Sequence, residues 1–367
     1  MRQQATPRLI VAGGGTGGHV FAGLALIEAW RAANGTDVPV LFVGAHGGIE
    51  ERLVPRAGVP LKLLRIGALN RVSWLKRFKT LLELPVALLV SALWVLRFRP
   101  SVVIGVGGFA SGPMLLAAAI IGRMLFGTRT AILEQNAVPG FTNRRLGGWV
   151  DLVFAAFTPR SGTFDPRKVR VTGNPIRPEI QPLPSSALSP KPFGIFVFGG
   201  SLGAVGMNTL VIEALPLLAD LRNEIKWVHQ TGQLDFERVK KAHADAATGA
   251  RVEPFIQQMM TCYAEASLVI CRAGSSTLAE LAMVGRASIL VPLPTASDDH
   301  QAVNARVFAE AGAARVAPQK ATDPVVFAEM IRTLLRDPAR IQAMEAAARS
   351  LAKPEAARSA VASILSA

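Results

Sequence analysis

Leu9-Ile10-Val11-Ala12-Gly13-Gly14-Gly15-Thr16-Gly17-Gly18-His19-Val20 is an apolar run followed by five glycines in six positions. Val20-Phe21-Ala22-Gly23-Leu24-Ala25-Leu26-Ile27-Glu28-Ala29-Trp30 then resumes with helical character. The order reads as strand, tight loop, helix. Glycines let several backbone N–H groups turn toward one point at the positive end of a helix dipole, which suits a phosphate or another anion. A plain packing turn would need neither the Thr16 hydroxyl nor the His19 imidazole at its mouth. Gly13-x-Gly15-x-x-Gly18 also spells a dinucleotide fingerprint, but that reading wants an acid at the end of the second strand. The second strand, Val38–Val43, runs instead into Gly44-Ala45-His46-Gly47-Gly48, and Asp37 stands at its wrong end. The oxidoreductase reading loses its second support.

A chain of 367 residues with 50% hydrophobic and 18% charged side chains implies about two globular domains, each with its own core. Cys262 and Cys271 make no disulfide framework and have no metal-ligand spacing. A reduced cytosolic setting fits, and Met1-Arg2-Gln3-Gln4 opens no signal peptide. The net charge of +14 is unevenly placed. Residues 1–177 hold 22 Lys/Arg against 8 Asp/Glu, and residues 178–367 are balanced at 18 against 18. The first half therefore has an anionic partner: nucleic acid, an acidic membrane surface, or a pyrophosphate-bearing substrate. With 6% aromatic residues there is little stacking material, and no basic recognition helix is evident, so nucleic acid drops out. A membrane surface comes first.

The membrane reading has a place on the chain. Trp74, Leu75, Phe78, Leu81 and Leu82 fall at helical spacing with Lys76, Arg77 and Lys79 between them, as in an interfacial helix or a solvated face. Leu84–Leu96 is almost continuously apolar but too short to span a bilayer, which takes about 20 residues. It reads as the second member of a core-facing helix pair. Ser101–Pro113 repeats the strand-to-glycine-loop theme, and Thr130-Ala131-Ile132-Leu133 is a strand ending at Glu134-Gln135-Asn136. Polar side chains at that end of a strand either face a ligand crevice or cap local backbone.

Pro178–Pro192 is proline-rich and reads as a linker. Beyond it Phe193-Gly194-Ile195-Phe196-Val197-Phe198-Gly199-Gly200-Ser201-Leu202-Gly203-Ala204 restarts the opening pattern. Two such starts argue for two similar α/β domains rather than one long sheet. Further strands lead into Arg272-Ala273-Gly274-Ser275-Ser276-Thr277-Leu278-Ala279-Glu280 and into Asp299-His300-Gln301, and Ile341–Ala367 is alanine-rich helix broken near Pro354.

Taken with Gly14–Val20, Glu134-Gln135-Asn136 and Gly173-Asn174-Pro175-Ile176-Arg177, these stretches resemble glycosyltransferase family 28 over nearly the whole chain. The resemblance implies a GT-B fold: two Rossmann-like, doubly wound parallel-sheet domains facing an interdomain cleft. It implies residues 1–177 as the acceptor- and membrane-binding domain, 178–350 as the UDP-sugar domain, and 351–367 as a helix returning to the first. The implied reaction is inverting transfer of N-acetylglucosamine from UDP-N-acetylglucosamine to the 4-hydroxyl of an undecaprenyl-pyrophosphate-linked muramyl pentapeptide. It would serve peptidoglycan synthesis, and so cell shape and division, at the cytoplasmic face of the inner membrane, with no cofactor and no metal.

Thr16, Gly17, Gly18, Asn136, Arg177, Ser201, Ile256, Ser275, Ser276, Thr277, Leu278, Ala279, Glu280 and Gln301 match the family's donor-binding positions. Ile256 would hold uracil, Glu280 the ribose hydroxyls, Ser201 the diphosphate, and Gln301 the sugar hydroxyls. Leu133, Ala22 and Leu202 depart from the family's usual histidine, proline and glutamine. The chemistry needs a base for the attacking hydroxyl. His19 is the only histidine at a glycine-loop helix start, where the helix dipole favours the neutral ring that can accept a proton. Glu134 is the competing base, and capping or a contact to the acceptor pyrophosphate are the other uses for His19. Two other kinds of protein remain open on sequence: a UDP-sugar epimerase or lipid galactosyltransferase of the same fold, and a non-catalytic UDP-sugar sensor.

Overall fold

The computed structural model of the protein describes residues 6–67, 74–186, 192–200 and 203–367, with backbone alone at 74–79, 81 and 297. It divides into two compact units, Met1–Arg177 with Pro354–Ala367, and Pro178–Lys353.

The first unit is built on β1 (Leu9–Gly13), β2 (Val40–Ala45), β3 (Leu61–Leu64), β4 (Val102–Gly107), β5 (Arg129–Glu134), β6 (Leu152–Ala155) and β7 (Val169–Val171). They form one parallel sheet in the order β3-β2-β1-β4-β5-β6-β7. β1 and β2 are buried along their whole length, as strands covered on both faces must be, which is why they read as continuous apolar runs. The strand order reverses between β1 and β4, so the loops leaving those two strands diverge and open a crevice beyond their carboxyl ends. The register also slips there, at Ala12/Gly13, and Gly13 pairs with Gly107.

Two helical layers cover the sheet. Helix Gly17–Asn34 packs Leu26, Ile27 and Trp30 into one face together with Phe42 and Phe154. Ala360, Val361 and Ile364 of the helix Ala356–Ser366 complete that same core, and Arg129 donates to the Ile364 and Leu365 carbonyls. On the other face Val95, Met114, Leu115 and Ala118 pack over Ile10, Val103 and Ile132.

The expected helix pair is a single helix, Trp74–Phe98, that runs through Pro85. The expectation that Leu84–Leu96 faces the core is also corrected. The helix turns its smaller residues Thr80, Ala87, Ser91 and Val95 inward, while Leu82 (62%), Val86 (60%), Leu89 (63%) and Leu93 (54%) stand exposed. Both faces are apolar, so hydrophobicity alone could not tell them apart; close packing selects the slimmer one.

The second unit repeats the plan with β8 (Phe193–Phe198), β9 (Ile225–Gln230), β10 (Arg251–Glu253), β11 (Leu268–Cys271), β12 (Ala287–Leu290) and β13 (Ala314–Val316), parallel in the order β10-β9-β8-β11-β12-β13. Val197, Met207, Trp227, Ile270, Phe327 and Ile331 lie in its core. The order reverses between β8 and β11, where the second glycine loop sits. The proline-rich segment is not a loose tether where it is described. Leu183 N–H donates to Val284, Arg286 to the Pro184 carbonyl, and Ser185 and Ser186 to the fully buried Glu345. Extended proline-rich backbone bonds nothing within itself and leaves its polar groups for a neighbour.

Candidate active site

The loop after β1 is held from beneath by a residue that the sequence reading passed over. Glu50, at the start of helix Glu50–Arg56, is fully buried, and its two oxygens accept from Gly15 N–H (2.8 Å) and Ala45 N–H (3.0 Å). A Cβ on Gly14, Gly44 or Gly48 would run into this carboxylate, so the glycines make room for it. The acid missing from the end of β2 is thus present a few residues later, turned inward under the loop. The expectation of an open cradle of N–H groups narrows accordingly. Gly14 N–H donates to the Gly107 carbonyl (3.1 Å), Gly15 N–H to Glu50, and His19 N–H to Thr16 Oγ1 (3.5 Å). Thr16, Gly17 and Gly18, at the mouth of helix Gly17–Asn34, are the loop's remaining offer to an anion.

His19 Nδ1 lies 2.9 Å from the Gly14 carbonyl. A carbonyl only accepts, so Nδ1 carries the proton and the neutral ring keeps its lone pair on Nε2. The ring rests against the loop after β4, where a Cβ on Gly107 would stand 2.7 Å from Nε2. Ser111 ties that loop to β1 by donating to Ala12 O (2.7 Å) and accepting from Gly107 N–H (3.1 Å).

Glu134, the competing base, is buried and enclosed. It accepts from Asn136 N–H (2.9 Å), Gly140 N–H (3.0 Å) and Asn143 Nδ2 (2.9 Å). Burial pushes its carboxyl above the usual range, against those hydrogen bonds that pull it down. Its work is to close the turn after β5, on which Asn136 stands half-buried. The Arg177 guanidinium lies 4.9 Å from the Phe21 ring centroid, a cation–π contact.

In the second unit Ser201 and Leu202 lie outside the described residues. Gln230, at the end of β9, braces the loop beside them: its Nε2 donates to Gly200 O (3.0 Å) and its Oε1 accepts from Ile256 N–H (2.9 Å). It joins the glycine loop to the segment carrying the buried Ile256. Its position as a polar side chain at a strand's carboxyl end is the signal in the sequence that marks it. Helix Ser275–Val284 begins at Gly274 and carries Ser275, Ser276, Thr277, Leu278, Ala279 and Glu280 through its first turns. Glu280 is buried and accepts from the hydroxyl of Tyr263, the single tyrosine of the chain (3.0 Å). Arg272 fans under this loop to the carbonyls of Val291 and Pro292 and to Gln319, and burial lowers it to about 10. Gln301 Oε1 accepts from Leu293 N–H (3.0 Å). Among the described residues no group of three His, Cys, Asp or Glu side chains is placed to hold a metal ion. The side chains of Trp74, Leu75, Lys76, Arg77, Phe78 and Lys79 lie outside the described ones.

Two doubly wound parallel sheets, each with a glycine loop at its reversal point and polar groups at the strands' carboxyl ends, define the GT-B class of glycosyltransferases. Models of the glycosyltransferase family 28 N-terminal and C-terminal domains match residues 9–155 and 194–361. The chain belongs to glycosyltransferase family 28. It is 45% identical to the UDP-N-acetylglucosamine–N-acetylmuramyl-(pentapeptide) pyrophosphoryl-undecaprenol N-acetylglucosamine transferase of Myxococcus xanthus, covering 96% of this chain and 90% of that one. A protein of the same name from Anaeromyxobacter is 44% identical, with 96% and 91% covered. The crystal structure of Acinetobacter baumannii MurG superposes with a TM-score of 0.78 at 32% identity, covering 98% of this chain and 100% of that one.

Proposed function

We propose that this enzyme transfers N-acetylglucosamine, with inversion, from UDP-N-acetylglucosamine to the 4-hydroxyl of the muramyl sugar on an undecaprenyl-pyrophosphoryl pentapeptide. The observation that carries the reading is the identity of 45% over 96% of the chain to a transferase of that name. In the step, His19 Nε2 takes the proton of the 4-hydroxyl as its oxygen forms a bond to the sugar's anomeric carbon. The bond from that carbon to the phosphate oxygen breaks, and UDP leaves with the electron pair. The second unit is assigned the donor. Glu280, aimed by Tyr263, accepts from the ribose hydroxyls. Ile256, whose N–H is committed to Gln230, offers its carbonyl to uracil. Ser201 and the N–H groups of the glycine loop balance the charge growing on the diphosphate. Glu134, with both oxygens already accepting hydrogen bonds, is less suited to the base role than His19.

With a lipid-linked acceptor and a nucleotide-sugar donor, the enzyme is assigned to the cytoplasmic face of the inner membrane as a peripheral protein. The exposed run Leu82, Val86, Leu89 and Leu93 supports this, flanked by exposed Ile120, Met124 and Leu125 on the adjoining helix. No helix among the described residues is long and apolar enough to cross a membrane. Attachment is therefore assigned to this surface together with Lys76, Arg77 and Lys79. Labelled UDP-N-acetylglucosamine incubated with lipid-linked muramyl pentapeptide tests the reading. Label should pass to the lipid over many turnovers; conversion of the nucleotide sugar without acceptor would mark an epimerase, and one-to-one retention of label a sensor.

A further inference from the structure

The hydrogen bond from His19 and the hydrogen bond to Glu50 meet on one peptide group. His19 Nδ1–H donates to the carbonyl of Gly14 at 2.9 Å, and the N–H on the other side of that peptide bond, Gly15 N–H, donates to Glu50 Oε2 at 2.8 Å. We infer that Glu50 is a positioning residue for His19, forming a carboxylate–histidine dyad relayed through the Gly14–Gly15 peptide. The inference rests on the reading of His19 as the base and adds what sets that base's tautomer and strength.

The physics is that of a directly bonded acid–imidazole pair with one amide inserted. A carboxylate on the amide N–H draws electron density toward the carbonyl oxygen and strengthens it as an acceptor, since hydrogen bonds in series polarise one another. The Nδ1 proton is held more firmly, and Nε2 becomes a better proton acceptor as the ring's positive charge is stabilised. The carboxylate also fixes the direction of the relay. Rotating the peptide by half a turn would aim the Gly14 carbonyl at Glu50, an oxygen facing an oxygen, and would leave Nδ1 without its acceptor. The second oxygen of Glu50 is occupied by Ala45 N–H, so the group cannot swing away. Its full burial keeps water from screening the relay. Of the unit's other candidate charges, Glu134 is engaged with Asn136, Gly140 and Asn143, and Arg177 lies on the Phe21 ring.

The test is a double-mutant cycle with pH profiles, on the full-length enzyme with the lipid-linked acceptor. E50Q should lower kcat by about tenfold, leave both KM values in place, and move the acid limb of kcat to lower pH by roughly half to one unit. In an H19A background, itself lowered by about 10²–10⁴-fold, E50Q should cost nothing more. An equal loss from E50Q in both backgrounds, or an unmoved acid limb, would overturn the relay and leave Glu50 a plain support. H19A at full rate with the parent's profile would instead remove the base reading beneath it, a result distinct from either. Should E50Q fold poorly, ¹⁵N spectra of histidine-labelled native enzyme still expose the relay to refutation without a variant. The relay requires the Nδ1–H tautomer at His19, and the Nε2–H tautomer would refute it.

Discussion

Mild acid should loosen the second unit, and two histidines set how much. His229, on β9, and His243, on helix Phe236–Asp245, are buried and bonded in series. Asn208 Nδ2 donates to Thr231 O (3.0 Å) and Asp235 Oδ2 (2.7 Å), so Asn208 Oδ1 must accept, and it does so from His229 Nε2 (3.1 Å). His229 Nδ1 then accepts from His243 Nε2 (3.2 Å), and His243 Nδ1 faces the Thr248 hydroxyl (2.9 Å). The chain of donors requires a neutral His229, where a further proton sets N–H against N–H; His243 could donate from Nδ1 to the Thr248 hydroxyl, which itself donates to His243 O, so only burial opposes its charge. Burial lowers His229 to about 3, with the neighbouring His243 as a second cause, and burial lowers His243 to about 4.

Unfolded, each histidine titrates near pH 6.5, so between that value and about 4 the unfolded chain holds more protons than the folded one. Stability contributed by the neutral pair is therefore complete above about 6.5 and is lost as pH falls below it. One pH unit is worth about 1.4 kcal/mol per histidine, so acidification from pH 7 to about 4.5 should cost the second unit roughly 3–5 kcal/mol. Amide exchange of β9 in urea, corrected for the intrinsic rate at each pH, reads this directly. The first unit serves as the control because Glu134 has the opposite sign. Its raised carboxyl binds protons more tightly folded than unfolded, so mild acid favours that unit. Constant protection of β9 down to about pH 4.5, or equal loss in β1 and β9, would refute the reasoning.

Glu280→Ala should weaken UDP-N-acetylglucosamine binding by about 10–150-fold, the worth of a charge-assisted hydrogen bond of about 1.5–3 kcal/mol, and calorimetry with the nucleotide sugar measures it. Unchanged donor affinity would take Glu280 out of the donor site. Leu89→Glu with Leu93→Glu, at exposed positions where the fold loses no packing, should cut partitioning onto anionic vesicles at least about tenfold, since each leucine contributes about 1.5–3 kcal/mol when buried. Turnover of a detergent-dispersed acceptor should be little altered. Co-sedimentation equal to the parent's would return the membrane role to the basic turn at Lys76, Arg77 and Lys79 alone.

The two-sheet plan was legible because each unit opens on the same stretch, a buried strand run abruptly into glycines. What that pattern leaves open is which partner each glycine serves. The first glycine loop reads as freedom for a ligand, yet Gly14 in it clears space for Glu50, and Gly15 N–H donates to that carboxylate from 35 residues away in sequence, a contact that no local spacing reports. Glu134 was open to two uses on sequence, base or cap, and the Asn143 and Gly140 donors that enclose it come from the following turn and helix. The edge strands β3 and β13 escaped notice because four and three residues carry too little periodicity. Helix Trp74–Phe98 escaped in part for the reason given by its leucines: burial is decided by the shape of the partner, and both faces offered hydrocarbon.

The helix Ala356–Ser366 has a consequence for how the molecule is made. Ala360, Val361 and Ile364 belong to the core around Trp30 and Phe42, and Arg129 awaits the carbonyls of Ile364 and Leu365. On the ribosome, the strands and helices through Arg177 emerge first yet lack the segment that finishes one face of their sheet. The later unit, from Pro178 to Lys353, has its whole core within one continuous stretch of translation and can close before the earlier one does. The order of synthesis and the order of completion are therefore reversed. A nascent chain stalled just short of Pro354 would display an unfinished apolar face on its N-terminal half, where a chaperone that binds exposed hydrocarbon would be expected to dwell.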